Sequence, residues 1–521
     1  MLDLRLTNAT FLTMDDAHPV AAQLGIWQGR IVGLDDEVAS LPAAAEIDLD
    51  GAVVLPGFID AHVHLFWAGL AALSPSIAAA TSIDEALELI AAAVERAPVG
   101  DWWLDVVGYD QRRLGRHLRA SDLDAVSAGR KLFVIHDSGH ACAVNTDVLK
   151  LLPPTVPHQD GVLTESGMAA VRSLRMPYEV DQLEDALELA GRTCRAQGVT
   201  AVAEAGIGGG LVRHSPVELA AFQNALEAGR LPVRVQAMVA ADALRPVTVD
   251  NDGATYRALN LGLRTGLGDD RLSIGALKIF TDGGMMARTA ALTSPYVGSD
   301  GSGELYTELD EIHLQITEGN WAGWQLAIHA IGDRAVDVAL DALQIARDEW
   351  NRPQARHRIE HAGLVRPDQL ARFAELDVTD VVQPGFLRWF GDDYAAIMGP
   401  ERASWLYRGR SFLDAGVRLV ASSDRPVTTG APLEAIQFMV ERTSRGGQVI
   451  GPDETIGVDA ALRAHTIEAA HACGWETALG SLTAGKYADL VVLAADPRHV
   501  PPSEIAAIQV LTTYLNGVNS P

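Results

Sequence analysis

Eight short apolar runs, each ending in polar or glycine residues, constrain this chain more than any other feature. They are GFIDAHVH (57–64), VTAVAEAG (199–206), VRVQAMVA (233–240), GALKIFTDGG (275–284), WQLAIHAIGD (324–333), HRIEHAG (357–363), DVVQPGF (380–386) and VRLVASSD (417–424). Amphipathic stretches such as SPVELAAFQNALEAG and RAVDVALDALQIARDEW stand between them. Strands alternating with helices at this spacing form βα units around a parallel sheet. Eight such units predict an α/β protein built on a (β/α)8 TIM-like barrel, with its active site at the C-terminal strand ends.

The flanks have a different texture. Short strand-like runs (LRLTNATFLTM, AAQLGIWQGRIVGL and EIDLDGAVVLP) fill the first 55 residues, and YADLVVLAAD (487–496) and AIQVLTTYLNG (507–517) return to it near the other end. They predict a small β-sandwich domain formed from both termini, 1–56 plus 470–521, around a barrel domain of 57–469; two unrelated β segments are the alternative. Two further strand-like runs, WWLDVVGYD (102–110) and KLFVIHDSG (131–139), would bring the barrel to ten strands. The region of about 67–185 is therefore read as an insertion on the first βα loop, over the active-site face.

Composition narrows the function classes. With 521 residues, 48% of them hydrophobic, the chain can bury a large core. A formal net charge of -27 argues against a nucleic-acid or anionic-membrane partner, which needs clustered Lys and Arg. Three scattered cysteines exclude a disulfide framework or a thiolate zinc site. The opening MLDLRLTNATFLTMDD carries acids where a signal peptide needs basic residues, and no run approaches the ~18 apolar residues of a membrane span. The expectation is a soluble, cytoplasmic protein with a small-molecule substrate; a homo-oligomer stays open.

Residues that carry chemistry gather where the runs end. His62 and His64 are two apart, so they share one face of a strand with Asp60. His329, His361 and Asp424 close the fifth, sixth and eighth runs. Any one of them alone reads as a satisfied core residue. Four imidazoles and a carboxylate at one rim suit Zn2+ or a similar divalent ion. Lys278 alternates with Leu277 and Ile279, whose bulk belongs against the surrounding helices, so it is expected to point into the barrel. An unpaired ammonium there costs several kcal/mol and its pKa falls. Either Lys278 pairs with Asp282 or Glu204, or its neutral amine takes up CO2 as a carbamate, an anionic bidentate ligand. GIGGG (206–210) lacks the GxGxxG spacing of a dinucleotide site. The tryptophans at 67, 102, 103, 389 and 405 are candidates for lining an apolar pocket, although core is their ordinary role.

The segments PGFIDAHVH, LKIFTDGG, LAIHAIGDRAVD, HRIEHAG, VVQP and ASSDRPV resemble the amidohydrolase superfamily. AHTIEAA and GSLTAGKYADLVVL extend the resemblance over nearly the whole chain, towards the branch of YtcJ-like proteins and N-substituted formamide deformylases. It implies a barrel flanked by a β-sandwich and a centre of two divalent ions, most simply zinc. One ion falls to His62, His64 and Asp424 and the other to His329 and His361, with carboxylated Lys278 bridging. A divalent ion lowers the pKa of bound water towards ~7, and Asp424 is placed to take its proton and pass it to a leaving amine. His140, in DSGHACAVN, matches the family's segment for substrate contact and is a second catalytic candidate for polarising the carbonyl, with a buried structural role as the alternative. Asp282 and Arg288, in TDGGMMART, either hold substrate or brace the loop after the fourth strand. The implied enzyme is a metal-dependent amidohydrolase acting on an amide, N-acyl or N-formyl compound. The same centre could serve an ester, lactone, carbamate or cyclic amide, or an isomerisation. A metal-binding module without turnover is the reading from another class, and the presence of a base at Asp424 speaks against it.

Overall fold

In the barrel, strands buried on both faces require near-continuous apolar sequence, and the eight runs supply it. The computed structural model describes residues 1–97, 103–137, 139, 141–210, 213–248, 251–253 and 255–519. Each run holds all or most of one strand of a single eight-stranded parallel sheet: β1 Phe58–Val63, β2 Val199–Ile207, β3 Arg234–Ala240, β4 Leu272–Phe280, β5 Leu326–Ala330, β6 Arg358–His361, β7 Thr379–Val382 and β8 Leu419–Ala421. They pair in chain order from β1 to β8. Backbone bonds just past the last strand join the ends: Asp424 N donates to His62 O (2.8 Å) and His64 N to Arg425 O (2.9 Å). The result is a (β/α)8 barrel, with helices such as Leu309–Trp321 and Asp333–Glu349 between strands.

Small residues make room inside. Ala61, Ala203, Ala276 and Ala327 join Ile59, Met238, Val381 and Val420 in one buried cluster. Their short side chains leave space for Lys278, Arg358 and Glu360, none more than 1% exposed. Leu277 turns the other way, close against Gly319 of the helix Leu309–Trp321.

The chain divides into two compact units, one of Met1–His64, Gly191–Gly210 and Ala225–Pro521, the other of Leu65–Ala190 and Leu211–Asn224. Besides the barrel and a two-stranded hairpin of Arg245–Thr248 with Thr255–Ala258, the first holds two larger sheets. A six-stranded sheet runs Val518–Asn519, Val510–Leu515, Leu490–Leu493, Val53–Pro56, Thr10–Leu12, Val20–Ala21, so late segments form one half, early segments the other, and they meet at its centre. A four-stranded sheet runs Arg30–Leu34, Leu24–Trp27, Leu2–Thr7, Ala43–Asp48. Leu6, Leu24 and Ile26 of the second meet Phe11, Val54, Leu490, Val492 and Tyr514 of the first in one apolar cluster.

The second unit has its own sheet, ordered Val162–Thr164, Ala141–Val144, Lys131–His136, Trp103–Tyr109. The two extra strand-like runs of the sequence lie here and not in the barrel. The helix Ile83–Arg96 begins at Ser82, whose side chain caps Glu85 N, and buries Ala86, Ile90, Ala93 and Val94.

Candidate metal centre

A strand end delivers side chains to the barrel mouth, and the backbone there sets which ones. His62, Lys278, His329 and His361 are strand residues; His64, Asp282 and Asp424 lie in the first residues beyond. Two positions leave the normal backbone range: His361 has φ +76° and Asp424 φ +52°. A left-handed residue breaks strand alternation. It lets Glu360 and His361, neighbours in sequence, both take part in one cluster.

The structure brings the six ligand candidates together. Asp424 Oδ1 lies 3.1 Å from His64 Nε2 and 3.4 Å from His62 Nε2. Donor atoms of these three residues fall within 4.8 Å of one another. Lys278 Nζ is 3.3 Å from His62 Nε2. The His62 ring is 4.9 Å from that of His361, which is 4.5 Å from that of His329. All six side chains are buried.

Hydrogen bonds behind the ring nitrogens fix which atoms face inward. His62 Nδ1 contacts Glu360 Oε2 at 2.5 Å, and Glu360 is gripped by Arg358 through Nε (2.5 Å) and Nη2 (2.9 Å). Glu360 therefore accepts from Nδ1–H, and His62 Nε2 is left as a lone pair. Gln383 does the same for His361. Its amide nitrogen donates to Val381 O and Ser422 Oγ, both at 3.0 Å, so its oxygen must accept from His361 Nδ1–H. His329 Nε2 sits 3.2 Å from Gly283 O, which leaves Nδ1 as its free lone pair. Burial, with Lys278 next, holds His62 well below the usual imidazole pKa. Burial and His329 do the same for His361. Neutral imidazoles with outward-anchored protons are the form that binds metal.

A divalent ion fits this donor set. The lone pair of His62 Nε2 faces a buried carboxylate oxygen of Asp424, a repulsive pairing that a cation between them converts into two bonds. Burial raises the Asp424 carboxyl, but His62, His64 and Lys278 outweigh it and keep its pKa below the ordinary value. Asp60 stands behind, accepting from Ser423 N (3.0 Å) and Ser423 Oγ, which ties the end of β8 to β1. Burial pushes Lys278 down to about 8, against the pull of Glu360 and Asp424.

The other candidates are placed differently. Asp282 accepts three backbone N–H groups, from Ile331 (3.0 Å), Gly332 (2.8 Å) and Ala291 (2.9 Å), and so braces the loops after β4 and β5. Arg288 is exposed at φ +58° in the turn closed by its N–H on Met285 O. His140 and Trp102 lie outside the described residues. Trp389 donates to Glu434 (3.3 Å) under the Arg445 guanidinium. A cavity of about 350 Å³ lined by Gln236, Gln325, Arg352, Arg356 and Trp475 contains none of the six ligand candidates.

Arg358, Glu360 and Gln383 were not singled out by sequence reasoning. The available signal was a charged or amide residue inside an apolar run, beside a ligand candidate (Glu360) or at the same depth on the next strand (Gln383).

Comparison with known proteins agrees with the barrel fold. A family model described as the amidohydrolase family matches residues 45–519. An N-substituted formamide deformylase of Arthrobacter pascens is 31% identical, over 99% of this chain and 98% of its own. A crystal structure of a metal-dependent hydrolase from Pyrococcus horikoshii, 26% identical, superposes with a TM-score of 0.78 over 96% of this chain and 99% of its own. The fold also matches the zinc-complexed atrazine chlorohydrolase TrzN of Arthrobacter aurescens, with a TM-score of 0.56 at 14% identity over 99% of this chain and 94% of its own. With its barrel and its family match agreeing, the chain belongs to the amidohydrolase family.

Proposed function

We propose that this protein is a metal-dependent hydrolase that cleaves the C–N bond of a linear amide, N-acyl or N-formyl small molecule. The observation that carries the reading is the Asp424 carboxylate oxygen buried against the Nε2 atoms of His62 and His64, with the Nδ1 proton of His62 already engaged by Glu360. The N-substituted formamide deformylase relative supports the choice of bond.

His62, His64 and Asp424 would hold one divalent ion and His329 and His361 a second, zinc in both cases, with Lys278 between them as its carbamate. The neutral Lys278 amine adds to CO2 and loses one proton, which turns a costly buried cation into an anionic ligand. Bound divalent ions supply Lewis acidity to the carbonyl and lower the pKa of water. The chain's own part is proton handling and orientation. Asp424 accepts the proton of the attacking water and returns it to the leaving nitrogen, so the product departs as an amine. Glu360 and Gln383 hold the His62 and His361 rings in one tautomer throughout.

The test is a matched panel of N-formyl amine, N-acyl amine, ester, lactone and cyclic amide, run on the protein as purified, after chelation and after zinc is restored. Close to two ions per chain and amine release from the linear amides are expected. Full activity after chelation would end the metal mechanism. Turnover of esters or lactones alone would move the substrate class. Tight metal binding with no turnover would favour a binding module.

A further inference from the structure

Buried polar side chains are ordinarily paired, so a buried donor left without a partner asks what it is for. Around this centre Glu360, Gln383, Asp282 and Asp60 all have partners. The Tyr407 hydroxyl has none among the described residues: the residue is 2% exposed and its oxygen makes no hydrogen bond with any of them.

Its surroundings hold it there. Tyr407 N donates to Gly363 O (3.0 Å), and Arg442, itself buried, donates to Tyr407 O (2.7 Å) and Leu406 O (2.8 Å) while anchored on Ile450 O (2.9 Å). These bonds keep a non-glycine residue at φ +41°. The phenol ring meets Phe386 edge-on at 5.7 Å, and Phe386 in turn stacks on the His361 imidazole at 6.1 Å. The hydroxyl sits over Gly363, two residues past His361, where an added Cβ would come within 3.2 Å of it. Burial first, and then Tyr394, Asp424 and Asp282, push its pKa well up, so it stays a neutral donor.

We propose that the Tyr407 hydroxyl donates a hydrogen bond to the substrate's carbonyl oxygen and to the negative charge that develops on that oxygen during hydrolysis. This rests on the hydrolytic reading above. Among the described residues no protein group accepts from Tyr407, which leaves its proton for a group brought by the substrate. A rigid donor in a water-excluded site stabilises developing charge without reorganising, and loss of one such donor typically lowers kcat by about 10²–10³-fold. Gly363 belongs to the same device: an added Cβ there would press on the hydroxyl at 3.2 Å, as well as on Ile331 Cγ2 at 3.0 Å and Ile331 O at 3.2 Å.

The experiment compares the metal-loaded parent with Tyr407→Phe and Gly363→Ala on whichever panel substrate the parent turns over fastest. Tyr407→Phe should lose about 10²–10³-fold in kcat with KM within about threefold. Its metal content should be unchanged and its thermal midpoint equal or higher, since the variant removes an unsatisfied buried hydroxyl. Gly363→Ala should show the same kcat-weighted loss. A Tyr407→Phe enzyme with parental kcat overturns the proposal, as does a loss of rate that follows loss of metal or of thermal stability. A parent active on esters but not amides refutes the amide reading alone, because the variant ratio is then read on the ester. A parent inert towards the whole panel refutes both.

Discussion

Glu360→Gln tests the centre through one atom. The carboxylate accepts from three donors: Oε1 from Arg358 Nε, Oε2 from Arg358 Nη2 and His62 Nδ1. Glutamine has the same shape but brings an NH2 group, which must face either Arg358 or His62. Facing Arg358, it sets donor against donor and leaves a buried guanidinium without its counter-charge. Breaking a buried pair in this way typically costs about 3–5 kcal/mol. Facing His62, it reverses the tautomer and puts a proton on Nε2, where the metal must bind. Disturbing such an anchoring partner weakens metal affinity by about 10–100-fold, or about 1.4–2.7 kcal/mol. The two terms are separable. Denaturant titration of the chelated protein reads the first, and competitive zinc titration reads the second, with holoprotein stability following through mass action. A Glu360→Gln protein with parental stability when chelated and parental zinc affinity would refute the assignment of Glu360 as the common anchor of Arg358 and His62.

Asp424→Asn keeps the size and one oxygen but not the proton acceptor, so kcat should fall by about 10²–10⁴-fold and the acidic limb of the pH–rate profile should disappear; near-parental rates with that limb intact would move the base elsewhere. In chelated, CO2-free protein the Lys278 amine titrates near 8 when folded and near its usual 10.5 when unfolded, so the unfolded chain binds more protons between those values. Stability should therefore rise by about 3 kcal/mol across that window, and Lys278→Met should flatten the slope measured by denaturant titration. The Asp380 carboxyl is buried on β7 with no partner for either oxygen among the described residues, and burial followed by Glu360 raises its pKa well above the ordinary value. Its folded state holds a proton that the unfolded chain releases, so it costs stability as pH rises through the unfolded carboxyl pKa. Asp380→Asn should be more stabilising at pH 8 than at pH 4, and an equal effect at both would refute that account.

The barrel was legible because its signal is local. A strand buried on both faces cannot hide its apolar run, and the eight runs each carry one strand. Ligand candidates were legible for a related reason: His62, His329 and His361 are polar residues where apolar residues would otherwise stand. What the sequence hides is set through space. Glu360 and His361 should face opposite ways by alternation, and only the left-handed backbone at His361 brings both into one cluster. Tyr407 follows a long helix, Pro384–Ala403, in a segment with no periodic signal. Its approach to Gly363 depends on Arg442, 35 positions away along the chain. Gln383 orients His361 through an amide whose direction is set by Ser422 on a third segment. No spacing rule within one run encodes such a relay.

The six-stranded sheet has a consequence for how the molecule is made. Strand Val53–Pro56 lies between Thr10–Leu12 and Leu490–Leu493, with Val54 opposite Val492. During synthesis at about 5–20 residues per second, its open edge waits roughly 20–90 s for its neighbour to be translated. An unpaired apolar edge is a template for pairing with other chains. The nascent polypeptide therefore carries an adhesive strand for most of its time on the ribosome. Chaperone dependence, and aggregation of polypeptides released before the Leu490–Leu493 strand, should exceed what the finished fold's stability suggests. Pulse-labelled intermediates should also stay protease-sensitive at Val53–Pro56 until the last strands emerge.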